Sequence, residues 1–418
     1  MTRFWHPFAD MGLVEERGEL VLDRGQGTRL WDEQGRSYID ATAALWYCNV
    51  GYGREEIGEA AAAQIAKIPS YSAYADLATR PAVDLAERLA ALSPLDEPRV
   101  FFTSGGAESI ESAAKLVRRF FSLTGEPERT ILISRQRSYH GVAGFGTSLA
   151  GADVFREGID APVPGIVQVP WDSAEALRDA IAEVGAERVA AFFCEPVIGA
   201  GGVLAPPPGY LLEVRAICRD AGCLLVADEV ITSFGRCGHW FASERFELDP
   251  DLIVFAKGST SGYLPLGGVI ASGRIAEPFW KRGGGVIFRH GYTYSGHAAV
   301  AAASHANLDI LEREGLNARG LELEAELTEA LEPLAAHPLV AEVRSGTGVL
   351  AAVQLAEPAL ADRASLLARE HGVITRVLLG GALQVSPPLV ITREELDELA
   401  TRVAAALDAC PAANPAPA

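Results

Sequence analysis

The chain has 418 residues, 49% hydrophobic and 22% charged, which is the balance of a globular enzyme of more than one domain and excludes a disordered chain. Its formal charge of −19 argues against nucleic acid or an anionic membrane as partner, so any phosphate must be held locally by backbone amides and helix ends. No apolar run reaches membrane-span length, the N-terminus lacks a signal-like apolar core, and the six cysteines include no CxxC pair; these features point to a cytoplasmic protein with reduced, buried thiols.

Residues 1–50 read as an arm followed by a hairpin that packs with the C-terminal part: TRLWD and RSYIDAT alternate as two short strands around the turn Glu33-Gln34-Gly35. Helically spaced apolar residues run from Ile57 to Ile68 and stop at Pro69. From about residue 80, apolar strands (RVFFT, TILIS, GIVQV, RVAAFFCEPV, CLLVADEV, DLIVFA, GGVIAS) alternate with helical patterns such as SAEALRDAIAEVG and GYLLEVRAICRDAG. That alternation predicts an α/β fold with a mostly parallel, doubly wound sheet in a large domain over 51–300. Long helices follow from His297 to about Pro338, then the strands AEVRSGTGVLAAVQL, GVITRVL and ALQVSPPLVI, and a final helix capped by Thr392 with Glu395 three residues on. These make a smaller α+β domain over 301–410, and the tail 411–418 reads as disordered.

A parallel sheet presents ligands outside the carboxyl ends of its strands, and the chemistry-bearing residues collect there. Ser104-Gly105-Gly106-Ala107 joins a strand to a helix and can bring amides to an anion, without the spacing of a Walker or dinucleotide loop. Tyr139 and His140 follow the next strand, and Glu195 ends another before a glycine loop. Asp228 closes CLLVAD, and Lys257, one of only four lysines, closes DLIVFA. A carboxylate and an amine brought to neighbouring strand ends are costly to bury unless used. An aspartate that keeps a ring nitrogen protonated and a lysine that forms a Schiff base are the minimum equipment for pyridoxal-phosphate chemistry.

The segments ADEVITSFGRCGHWF, PDLIVFAKGSTSGYLPLGG and GYTYSGH resemble those of the fold-type I, class III pyridoxal-phosphate aminotransferases, and the likeness runs from about Trp5 to the final helix. The resemblance implies that Lys257 carries the cofactor as a Schiff base, that Asp228 binds the pyridine nitrogen, and that Val230 and Tyr139 sandwich the ring. It further implies that Gly106 and Ala107 hold the phosphate through their amides, with Gly105, His140 and Glu195 beside them, and that Thr293 reaches the same phosphate from the partner subunit of a homodimer. Many relatives carry serine at the position of Ala107, so one hydroxyl contact is missing here. Ile231 stands where 4-aminobutyrate- and ornithine-type members have glutamine, and with ALWYCNVGYG it is similar to the amine:pyruvate, or ω-transaminase, branch. In that branch the residue matching Trp46 lines the substrate pocket and an arginine at the position of Arg376 binds the acceptor's carboxylate.

The expected activity is a ping-pong transfer of an amino group from a primary amine or ω-amino acid to a keto acid such as pyruvate. An aminomutase, decarboxylase or racemase would share Lys257 and Asp228, and a nucleotide-dependent oxidoreductase would share the doubly wound sheet. The bland reading of the Asp228–Lys257 pair is a structural salt bridge, and a non-enzymatic binding protein gives no reason for it.

Overall fold

The computed structural model describes residues 2–159, 163–281, 283 and 285–410; the expected tail at 411–418 lies outside them. A seven-stranded sheet runs in the order Arg99–Thr103, Gly267–Ala271, Leu252–Phe255, Leu224–Asp228, Val189–Cys194, Ile131–Arg135, Ile166–Val169. Only Gly267–Ala271 is antiparallel to its neighbours. Its strands are mostly apolar because both faces are covered, and their side chains divide between two cores, in alternation except where Ala190 and Ala191 share one at a register shift. Leu224, Val226, Leu252 and Val254 pack with Ile110, Val117 and Phe121 of the helix Gly106–Thr124. Leu225, Ala227, Ile253 and Phe255 turn the other way, toward Leu177, Val214 and Ile217 of the helices Ala174–Val184 and Tyr210–Ala221.

The hairpin Arg29–Asp32 and Ser37–Asp40 forms around the expected turn, and an unforeseen strand, Leu22–Gln26, pairs outside it. Its inner strand Ser37–Asp40 pairs in parallel with Val373–Ile374, so the two ends of the chain share a sheet. A third sheet is antiparallel, in the order Val340–Arg344, Ala351–Leu355, Ala382–Val385, Val377–Leu378. GVITRVL is therefore not the single strand its composition suggests. It breaks between Ile374 and Val377, each half joins a different sheet, and Thr375 Oγ1 closes the break by donating to Gln384 O at 2.7 Å. Arg376 sits in that break. ALQVSPPLVI likewise ends as a strand at Val385, before Pro387 and Pro388 can interrupt the ladder.

The final helix Arg393–Asp408 carries the expected capping box, with Thr392 accepting from Glu395 N and Glu395 from Thr392 N. All six cysteines are buried and free. No described helix is long and apolar enough to cross a membrane.

Candidate active site

Strand alternation decides which of two adjacent carboxylates enters the site. Asp228 keeps the parity of Leu224 and Val226 and faces the start of the helix Gly106–Thr124. Glu229 turns away. Its oxygens accept from Ala242 N, Ser243 N and Ser243 Oγ, which holds the short helix Ala242–Arg245 while burial pushes its carboxyl up to about 7. Only the first of the pair is free for chemistry.

Asp228 Oδ1 accepts from Val230 N at 3.1 Å, and Oδ2 lies 2.7 Å from His140 Nδ1. The other nitrogen of His140, Nε2, is buried without a partner. Lys257 follows the neighbouring strand Leu252–Phe255 and is half-buried in a left-handed conformation, φ 46°. Burial pushes its amine down to about 8, against the pull of Asp228. Asp228 and Lys257 line one cavity of about 170 Å³ with Gly106, Ala107, Tyr139, His140, Glu195 and Val230.

The anion end of this cavity is built from backbone. The helix of 19 residues starts at Gly106, its N-cap Gly105 is extended, and no side chain caps it, so its first amides are available to a phosphate. Two glycines make the approach possible. A Cβ on Gly106 would meet Val230 Cγ1 at 2.9 Å, and one on Gly141, whose φ is +93°, would meet Ala107 Cα at 2.9 Å. A phosphate at this end and a basic ring nitrogen at Asp228 are what the donor set accommodates, which is the pattern of pyridoxal phosphate.

Glu195 lines the cavity, but both its oxygens are engaged: Oε1 accepts from Tyr139 N and Oε2 from Gly199 N, each at 3.0 Å. It therefore positions the tyrosine loop, and burial raises its carboxyl pKa. The ring of Tyr139 is braced edge-on by Phe155, centroids 5.1 Å apart.

Trp46 and Arg376 stand beside Lys257 although they are far from it in the chain. Lys257 Nζ lies 5.5 Å from the Trp46 ring centroid, and the Arg376 guanidinium lies over the same ring at 4.2 Å. Trp46 is 2% exposed and packs in a core cluster, so the structural and the site readings of this residue hold together. It is carried on a strained loop: Ala43, Ala44 and Trp46 all have positive φ (44°, 56° and 62°). Asp40 holds that loop by accepting from Thr42 N, Thr42 Oγ1, Ala44 N and Tyr52 Oη.

Thr293 is not brought into the cavity; it is exposed on a turn. Three buried polar residues that support the site escaped the sequence reading. Arg236, wholly buried, donates to Pro387 O and Asn49 Oδ1 at 2.6 Å each. Nothing in its loop distinguishes it. Asp40 and Gln384 did carry a signal, as polar residues in the inward register of apolar strands.

The profile of the class III aminotransferase family matches residues 14–407. The putrescine–pyruvate aminotransferase of Pseudomonas aeruginosa is 38% identical over 97% of this chain and 94% of its own length. Among solved structures, a thermostable (S)-enantioselective ω-transaminase from Thermomicrobium roseum superposes with a TM-score of 0.94 at 38% identity, covering 97% of this chain and 96% of that one. An amine transaminase from an uncultivated Pseudomonas species, in its pyridoxal-phosphate-bound form, gives 0.93 at 35% identity, covering 98% and 99%. With its strand-end lysine and aspartate and its uncapped helix start at one cavity, the chain belongs to the class III aminotransferases, which are pyridoxal-phosphate enzymes.

Proposed function

We propose that this protein is an amine:pyruvate transaminase that takes the amino group of a primary amine or ω-amino acid and delivers it to a keto acid such as pyruvate in two half-reactions at one site. The observation that carries this reading is a half-buried arginine without an acid partner beside the lysine. Among the described residues no carboxylate pairs with Arg376, whose pKa burial lowers to about 10. Such a cation suits the acceptor's carboxylate, which a guanidinium can bind through two parallel hydrogen bonds. The likeness to a putrescine–pyruvate enzyme supports pyruvate in that role.

Pyridoxal phosphate, when bound, supplies a carbonyl that takes up the amine and a ring that stores an electron pair. The chain does the rest. Amides of Gly106 and Ala107, with Gly105 preceding them, would hold the phosphate. Tyr139 and Val230 would lie beside the ring, and Asp228, itself held by His140 and the Val230 amide, would keep the ring nitrogen protonated. Lys257 Nζ, poised near neutrality, accepts the proton from the donor's amino-bearing carbon and returns it one position away. Trp46 forms the pocket wall and Arg376 receives the carboxylate of the acceptor.

The working unit is a homodimer in the cytoplasm, with 51–300 as the cofactor domain, 301–410 as the smaller domain and the 1–50 hairpin packed on the latter. Exposed Tyr74 and Ile287 line a hollow of about 580 Å³ that contains neither Lys257 nor Asp228, close to the turn bearing Thr293. Tyr71, Leu77 and Tyr294, close in sequence to its lining residues, are also exposed. A second copy seated there would cover these residues and carry Thr293 toward its neighbour's phosphate.

The test is a panel of amines with pyruvate, read as alanine formed. The purified protein should be yellow and bleach with borohydride, and Lys257→Ala should lose turnover. Ordinary turnover by Lys257→Ala would remove the assignment.

A further inference from the structure

Arg376 is held by one side chain, and that side chain also holds the loop of Trp46. Gln384 is 0% exposed and stands in the strand Ala382–Val385. Its Oε1 accepts from Arg376 Nε at 2.6 Å, and its Nε2 donates to Thr42 O at 3.3 Å. Arg376 Nε can only donate, so the amide orientation follows from chemistry: oxygen to the arginine, nitrogen to Thr42. Gln384 N also donates to Arg376 O at 3.0 Å, which fixes the arginine's backbone in the break between Ile374 and Val377. Thr42 is the residue that precedes the strained turn Ala43–Trp46 and accepts from Trp46 N at 3.0 Å. One buried amide therefore ties together the arginine and the base of the loop that bears the ring on which it lies.

This arrangement has a chemical consequence. With Nε engaged and one guanidinium face against Trp46, Arg376 has lost most of its rotational freedom before any substrate arrives. Its terminal nitrogens keep their capacity for an anion, because Gln384 supplies a neutral acceptor and leaves the positive charge uncompensated.

We propose that Gln384 is a positioning residue that presets Arg376 for a carboxylate, so that this side chain sets the affinity for the keto-acid acceptor far more than that for uncharged amines. The inference rests on Arg376 as the acceptor-binding group. Gln384→Leu keeps the volume and removes both side-chain hydrogen bonds. Gln384→Glu keeps an acceptor for Nε, adds a charge that neutralises the guanidinium, and loses the donor to Thr42.

The two half-reactions of the holoenzyme, followed separately by stopped flow, give the readout. With pyruvate the KM should rise about 5- to 20-fold in Gln384→Leu, the scale of one lost hydrogen bond, and more in Gln384→Glu. With benzylamine as donor, the shift should be several-fold smaller than with pyruvate, because Trp46 stays in place and only one bond at the base of its loop is lost. Calorimetry of propionate, a carboxylate that cannot react, should show the same loss of affinity. Should the leucine variant not fold, Gln384→Met offers the same removal on an unbranched chain. A parallel shift for pyruvate and benzylamine, or no shift for either, overturns the proposal. Arg376→Leu separates the two levels: if it raises the pyruvate KM and Gln384→Leu does not, only the role of Gln384 falls. If Arg376→Leu leaves pyruvate untouched, the acceptor-site reading falls and this inference with it.

Discussion

Adding one methyl group at Gly106 should loosen the cofactor through Val230. An ideal Cβ at Gly106 falls 2.9 Å from Val230 Cγ1 and 3.0 Å from Cγ2, where ordinary contact begins near 3.4 Å, so Val230 must retreat by about 0.5 Å. Val230 borders the cavity, and its backbone is pinned by the bond from its amide to Asp228, so part of the retreat goes into the space beside the ring. Overpacking of this kind costs about 1–3 kcal/mol, or a factor of about 5 to 150 in the dissociation constant of pyridoxal phosphate. Alanine at the first turn of a helix is itself favourable, so the helix should not be the casualty. Titrating apoenzyme with pyridoxal phosphate, read by absorbance, gives the constant for Gly106→Ala, Val230→Ala and the double variant. The clash predicts that Val230→Ala restores most of the affinity lost in Gly106→Ala, with a coupling of at least about 1 kcal/mol. Additive losses, or unchanged affinity in Gly106→Ala, would refute the reasoning.

Capture of pyridoxal phosphate by apoenzyme should accelerate with pH through a midpoint near 8. The neutral amine is the nucleophile, and burial lowers the Lys257 pKa from 10.5 to about 8, so the reactive form accumulates above that value and is lost below it. A rate still climbing toward pH 10 would contradict the burial argument. Arg236→Met should lower stability by about 2–4 kcal/mol, because Pro387 O and Asn49 Oδ1 lose charged donors in the interior. Urea unfolding checks this, and an unmoved midpoint would show that relief from burying the cation offsets the lost bonds.

How much of this molecule could be read without coordinates varies by element. The parallel sheet was legible, since strands covered on both faces must be apolar throughout and each helix between them carries its own period. Asp228 and Lys257 were legible for the same reason: charges directly after such strands stand out. GVITRVL was not. Its composition suits one strand, and the break that places Arg376 depends on two sheets competing for its halves.

Local chemistry thus determined most strands and helices, the glycine-rich helix start at Gly106, and the placing of a carboxylate and an amine at strand ends. Only the tertiary structure decided that Asp228 enters the cavity while Glu229 caps a helix, and that Trp46, Arg376 and Gln384, from distant parts of the chain, meet beside Lys257. The division has a physical cause. Periodicity and capping are interactions between near neighbours and are written in consecutive residues, whereas the partner of a buried polar group depends on which surfaces the folded sheets bring together.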